Sequence, residues 1–291
     1  MNITFKCLEC GLSNFIKLMN EFNMPEDIQK RAMKDFLLFL SHLNYSDSPP
    51  VISKYYHEEI KKLLNNKDPY YDKKRFYNQK ILSEYDNFRS LINKTNNSVR
   101  ATFMLTLAGN IIDFGPNQNF NIEETLHNAL KETLYIDHYN KLINDIYRSS
   151  LILYITDNAG EIVFDKMFIE KILELNMVSR DKIVAVTRGG PVINDATIED
   201  AQDVGLTEIV KVIDTGDCAP GIILENTSEE FREYFHTADL IISKGQGNYE
   251  TLHSTNNKNI YFLLIAKCPL IADILKVPHK SFVCMKKGEG K

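Results

Sequence analysis

What the chain lacks excludes several classes before any motif is read. No apolar run approaches the roughly 20 residues of a membrane helix. Residues 2–20 carry Lys6, Cys7, Glu9, Cys10 and Lys17 where a secretory signal would need an apolar core. The expectation is a soluble, cytoplasmic protein with no membrane partner. Cysteine is scarce: the 5 thiols, Cys7, Cys10, Cys218, Cys268 and Cys284, are an odd number without a leader, which argues against a disulfide framework. A basic stripe is missing too, and a net charge of -5 does not fit a nucleic-acid binder. Neither HExxH nor GxSxG occurs, and the 7 histidines are scattered, so zinc-protease and serine-hydrolase chemistry are set aside.

What is there is a globular composition, 44% hydrophobic and 25% charged over 291 residues, enough for a substantial core. Residues 1–148 read as an α-helical region. Phe15, Met19 and Phe22 share a helical face, and so do Ile28, Ala32, Phe36 and Phe39 after Pro25. Aromatic residues at this spacing are core rather than a stacking platform. Cys7 and Cys10 form a lone CxxC near a helix start, either two reduced thiols or half of a metal site completed by a distant cysteine or histidine. Ala101 to Gly115 is almost wholly apolar, yet it ends on Asn110 and Asp113, which share a helix face. Burying them without partners costs several kcal/mol. They therefore either end the helix, assisted by Gly115, or lean over the site and contribute to substrate binding. Further helices are expected over residues 121–134 and 139–147.

Near Ser149 the pattern changes to alternating strand and helix. Residues 149–291 read as a Rossmann-like α/β domain with a mostly parallel sheet of about six strands flanked by helices. The central stretch is YITDNAGEIVFDK, Tyr154 to Lys166. A continuous apolar run, Leu151 to Ile155, ends abruptly at Asp157 and Asn158, where such folds bind ligands. Asp-Asn before a helix is also an ordinary N-cap. As ligands, their hard oxygens suit Mg²⁺ or Mn²⁺ better than zinc. A second strand, KIVAVT, runs into Arg188, Gly189, Gly190 and then Asp195. Right-handed crossover places both carboxyl ends on one edge, so Asp157 and Asp195 can meet at one ion. Arg188 with the Gly189 backbone suits a phosphate. After DLIIS comes Lys244 in KGQGN, which lacks the Walker spacing. Polar loops after several strands converge at this edge, and that convergence favours a metal-phosphate site over capping.

ITDNAGEIVFDK, TRGGPVINDAT and ADLIISKGQGNYETL, with AGNIIDFG before them, resemble the DUF89 family of metal-dependent damage-control phosphatases, the ARMT1-like fold. DPYYDKK at residues 68–74 and the CxxC are similar to its prokaryotic-type branch. The resemblance spans essentially the whole chain. It implies Asp157, Asn158 and Asp195 as metal ligands, Glu161 and Lys244 as substrate contacts, and a divalent ion such as Mg, Mn, Co or Ni as cofactor. Asn110 and Asp113 match a motif without an assigned role. The partner it implies is a small phosphorylated metabolite.

The expected chemistry is hydrolysis of a phosphomonoester by metal-activated water, with Lys244 and Arg188 neutralising phosphoryl charge. Glu161 is a candidate base. An aspartyl-phosphate route through Asp157 is disfavoured, because Ala159 stands where haloacid-dehalogenase-type enzymes place a second aspartate. Two alternatives remain. One is a non-catalytic phosphometabolite or nucleotide sensor; the other is an S-adenosylmethionine-dependent carboxyl methyltransferase, weakened by the missing glycine-rich turn after the first strand. Oligomeric state is left open.

Overall fold

The computed structural model describes residues 1–109, 122–256 and 258–290. Its centre is a seven-stranded sheet in the order β1-β7-β6-β5-β2-β3-β4. Strands β2 (Ile152–Ile155), β3 (Ile183–Thr187), β4 (Lys211–Asp214), β5 (Leu240–Lys244) and β6 (Ile260–Ile265) run parallel. Strand β7 (Phe282–Lys286) is antiparallel to β6, and β1 (Leu134–Asp137) pairs parallel to β7. Every residue of β2, β3, β5 and β6 is buried, which is why these strands read as unbroken apolar runs. From β2 the chain proceeds outward through β3 and β4, then returns to the other side of β2 for β5 and β6. The crevice between the ends of β2 and β5 is thus the topological switch point.

The sheet exceeds the expected count because residues 134–137, expected as a helix end at Leu134 and a connection after it, form a strand. LYID is short and buries alternate residues, the mark of an edge strand too brief for a periodic signal. The α/β layer therefore reaches back before Ser149.

Packing explains how the helices are shared out. Helices α1 (Phe5–Glu21), α2 (Glu26–Ser41) and α3 (Pro50–Leu64) close a core of their own around Phe15, Phe36 and Ile60. Helices α4 (Tyr71–Leu82), α5 (Tyr85–Asn93), α6 (Ser98–Ala108), α7 (Ile122–Lys131) and α8 (Tyr139–Arg148) contribute instead to the core on one sheet face, together with α9 (Glu161–Glu174). Helix α6 is buried on all sides from Ala101 to Ala108, as its apolar sequence dictates, and Thr102 and Thr106 return their hydroxyl bonds to its own carbonyls. Asn110 and Asp113, expected at its end, lie outside the described residues. Helix α10 (Ile198–Asp203) follows β3. On the opposite face lie α11 (Glu229–Thr237), α12 (Gln246–Leu252) and α13 (Pro269–Leu275). No helix among the described residues is long and apolar enough to cross a membrane.

Candidate active site

The loops after β2, β3 and β5 meet beyond the carboxyl ends of their strands. Register places Ile155 beside Val186 and Ser243, so the three strands end level. The first two loops then pair with each other. The Ala159 amide donates to Asn194 O and the Ala196 amide to Asp157 O, both at 2.8 Å, bringing Asn158 opposite Asp195. The convergence of Asp157, Asn158 and Asp195 is thus set by backbone bonds as well as by sheet order. From the third side comes Gly245, whose φ of +85° favours glycine. A Cβ there would stand 2.2–2.4 Å from the Asp157 carboxylate, so only glycine lets β5 approach this closely.

Of the sequence-predicted residues, Asp157, Asn158, Glu161, Arg188, Asp195 and Lys244 are brought together and buried. Asn158 Nδ2 donates to Asp157 Oδ2 at 2.8 Å and to Glu161 Oε2 at 3.2 Å. Arg188 Nε donates to Asp195 Oδ2 at 2.6 Å, and Nη1 to Asn248 Oδ1 at 2.9 Å. Its Nη2 lies 3.8 Å from Asp157 Oδ1 and is buried without a hydrogen-bond partner among the described residues, which leaves one donor for an incoming anion. Lys244 is wholly buried and donates to Glu161 and, at 2.7 Å, to Asp165 Oδ1. Its first partners are therefore carboxylates, and any phosphoryl contact has to be shared with them.

Gly189 departs from its expected part in a phosphate cradle. Its amide is already committed to Asp217 O and Thr215 Oγ1, each at 3.0 Å. A Cβ would strike the Gly216–Asp217 backbone at 2.4 Å, so the glycine here serves loop packing.

Sequence reasoning passed over Asp165, Tyr154 and Asn248. Asp165 is fully buried, accepts from Tyr154 Oη at 2.8 Å, and leaves its Oδ2 without a partner among the described residues. A signal existed: a carboxylate inside the otherwise apolar run EIVFDKMFI of a helix buried on every side. Asn248 ties the β5 loop back, donating to Lys244 O at 2.6 Å.

The electrostatics of the cluster are unbalanced. Among the described residues, buried Asp157, Glu161, Asp165 and Asp195 are paired with two buried cations, Arg188 and Lys244, while Lys74 also acts electrostatically on Asp195. Burial pushes Asp157 well above the ordinary carboxylate range, reinforced by Glu161 and Asp195 and opposed by Arg188 and Lys244. Asp195 is raised by burial despite Arg188, and Asp165 is pushed up to about 6, again chiefly by burial. For Lys244 burial acts to lower the value, but Asp165 and Glu161 outweigh it and lift the ammonium above its ordinary range. Fully ionised, the cluster carries two surplus negative charges. Two carboxylates and an amide, with Glu161 adjoining, make a hard oxygen set suited to a divalent cation. Among the described residues, no group of three or more His, Cys, Asp or Glu side chains is placed to hold a metal ion by itself, so the Asn158 amide would have to take part.

A mostly parallel α/β sheet with acidic and amide loops at its switch point defines a Rossmann-like ligand-binding protein. Comparison with known proteins is more specific. The chain belongs to the family of damage-control phosphatase ARMT1-like domains, whose model matches residues 3–283. It is 37% identical to a damage-control phosphatase of Pyrococcus horikoshii over 98% of each chain. It is 39% identical to an uncharacterized protein of Methanocaldococcus jannaschii, covering 97% of this chain and 94% of that one. Identity to a damage-control phosphatase of Archaeoglobus fulgidus is 31%, over 94% and 96% of the two chains. The crystal structure of a DUF89 family protein from Pyrococcus horikoshii superposes with a TM-score of 0.88, at 36% identity over 99% of both chains.

Proposed function

We propose that this protein is a metal-dependent phosphatase that hydrolyses small phosphorylated metabolites, sugar phosphates or damaged phosphometabolites. The observation that carries the reading is the charge surplus: among the described residues, four buried carboxylates paired with two buried cations at the switch point call for a further divalent positive charge. Two relatives named damage-control phosphatases support the reaction class.

Asp157, Asn158 and Asp195 would hold Mg²⁺, Mn²⁺, Co²⁺ or Ni²⁺. Such an ion, when bound, polarises a phosphoryl oxygen and lowers the pKa of water. The chain's own residues do the rest. Arg188, pinned by Asp195 and Asn248, offers the unpartnered Nη2 to a phosphoryl oxygen. Glu161, oriented by Lys244 and Asn158, is the base within reach of attacking water. Lys244 holds Glu161 in place. Burial of the cluster excludes bulk water and strengthens each of these contacts.

The test is hydrolysis of p-nitrophenyl phosphate with and without each of the four cations. Wild type should require metal, and Asp157→Ala should lose more than about 100-fold, beyond the loss usual for residues that merely support a ligand. Metal-independent turnover, or full activity in Asp157→Ala, would sink the reading. Tight phosphate binding with no turnover on a phosphometabolite panel would favour a sensor instead.

A further inference from the structure

DPYYDKK, a motif the site does not absorb, leads to a second buried polar cluster. Lys74, exposed by only 2%, lies 3.0 Å from Asp68 Oδ2 and donates to Asp200 Oδ2 at 3.0 Å. Asn78, on the same face of α4 and fully buried, donates to Asp200 Oδ1 at 2.9 Å. Asp200 also accepts from the amide and hydroxyl of Thr197, both at 2.9 Å, closing the capping box of α10. Asn78 Oδ1 meanwhile accepts the Gly160 amide at 2.6 Å. Gly160 follows Asp157 and Asn158 in the first loop, and Thr197 follows Asp195 in the second. One helix thus holds both carboxylate-bearing loops from behind.

Such a cluster adds little net stability. Desolvating a lysine and two carboxylates costs several kcal/mol per ion, and apolar replacements of similar volume are often neutral. What it confers is geometry. Asp200 receives four hydrogen bonds, close to the capacity of a carboxylate, and Asn78 holds the Gly160 amide as well, so neither loop can slide without breaking a bond to this cluster.

We propose that Lys74, Asn78 and Asp200 are positioning residues that fix the separation of Asp157 and Asn158 from Asp195, and thereby set the protein's affinity for a divalent cation. The identity of the ligand rests on the phosphatase reading; the bracing of the two loops does not.

Two measurements test it, neither of them turnover. Binding of Mn²⁺ alone is followed by electron paramagnetic resonance, and exchange of the Gly160 amide by NMR or mass spectrometry. Asn78→Ala and Lys74→Met should bind Mn²⁺ about ten- to hundredfold more weakly, the usual cost of losing an outer support. Lys74→Arg, which keeps the charge, should recover most of the loss, and the Gly160 amide should lose protection in Asn78→Ala. The control is Phe15→Leu in the separate α1–α3 core, which should lower the melting temperature without touching Mn²⁺ affinity. A folded Asn78→Ala with wild-type Mn²⁺ affinity, unchanged exchange at Gly160, or an equal affinity loss in Phe15→Leu would each overturn the proposal. Should wild type itself bind no Mn²⁺, the phosphatase reading fails and the exchange measurement alone decides the bracing role. If Lys74→Met does not fold, Asn78→Ala and Lys74→Arg carry the test.

Discussion

Lys74 and Lys244 are both buried, at 2% and 0% exposure, and each lies between two carboxylates, yet their surroundings differ in kind. Around Lys74 every strong acceptor is used: Asp200 takes four donors, and Asp68 Oδ1 accepts the Tyr70 amide at 3.0 Å. Around Lys244 the books do not close. Asp165 keeps an oxygen without a partner, and the adjoining Asp157 is driven toward its protonated form, chiefly by burial. Saturated polar clusters brace a fold. Unsaturated ones at a switch point are where a ligand belongs, since the shortfall is tolerable only if something else supplies the missing charge.

Three experiments sharpen or break this contrast. The largest effect should come from Lys244→Met, which leaves Glu161 and Asp165 without their shared cation. Urea unfolding without metal should register a loss of about 3–5 kcal/mol. Mn²⁺ should then raise the melting temperature of this variant more than that of wild type, whereas Lys74→Met should respond less than wild type. An identical response in the two variants would erase the distinction.

Next comes a buried carboxylate with no lysine among its partners. Glu250 accepts from Gln246 Nε2 at 2.9 Å, and burial pushes its carboxyl up to about 7. The fold prefers the protonated form, so this contribution to stability is whole below the ordinary value of 4.5 and is lost as pH rises through about 7. Comparing wild type with Glu250→Gln by denaturant unfolding at pH 4.5 and 7.5, the wild type should decline by up to about 3 kcal/mol more, at about 1.36 kcal/mol per unit. Parallel pH profiles would show that burial does not hold Glu250 in its protonated form.

The smallest effect belongs to the exposed Cys10. Cys10→Ser should change stability by no more than about 0.5 kcal/mol and leave metal-stimulated hydrolysis intact. A larger loss would make the CxxC a third polar centre.

The site was legible where chemistry interrupts a strong pattern. Asp157 and Asn158 end an apolar run, and Arg188 and Lys244 close two more, so parallel topology puts them at one sheet edge, where backbone bonds between the first two loops complete the convergence. The bracing cluster was not legible. Lys74 and Asp200 stand 126 residues apart, and a single long-range pair leaves no periodicity for a sequence reading to detect. DPYYDKK was noticed only as a resemblance. Strand β1 escaped because four residues at a sheet edge give neither a helical nor a sustained alternating signal. The amide of Gly189 was misjudged for a related reason: its partners, Thr215 and Asp217, follow a different strand.

The surplus of acidic groups at the switch point also dictates a sequence of events. On the phosphatase reading, a dianionic ester arriving first would meet a repulsive field, whereas one arriving after the cation meets a neutralised pocket with an idle guanidinium nitrogen. Loading should therefore be compulsory-order, cation before ester, and phosphate inhibition patterns at varied Mn²⁺ would reveal a random order if that logic is wrong.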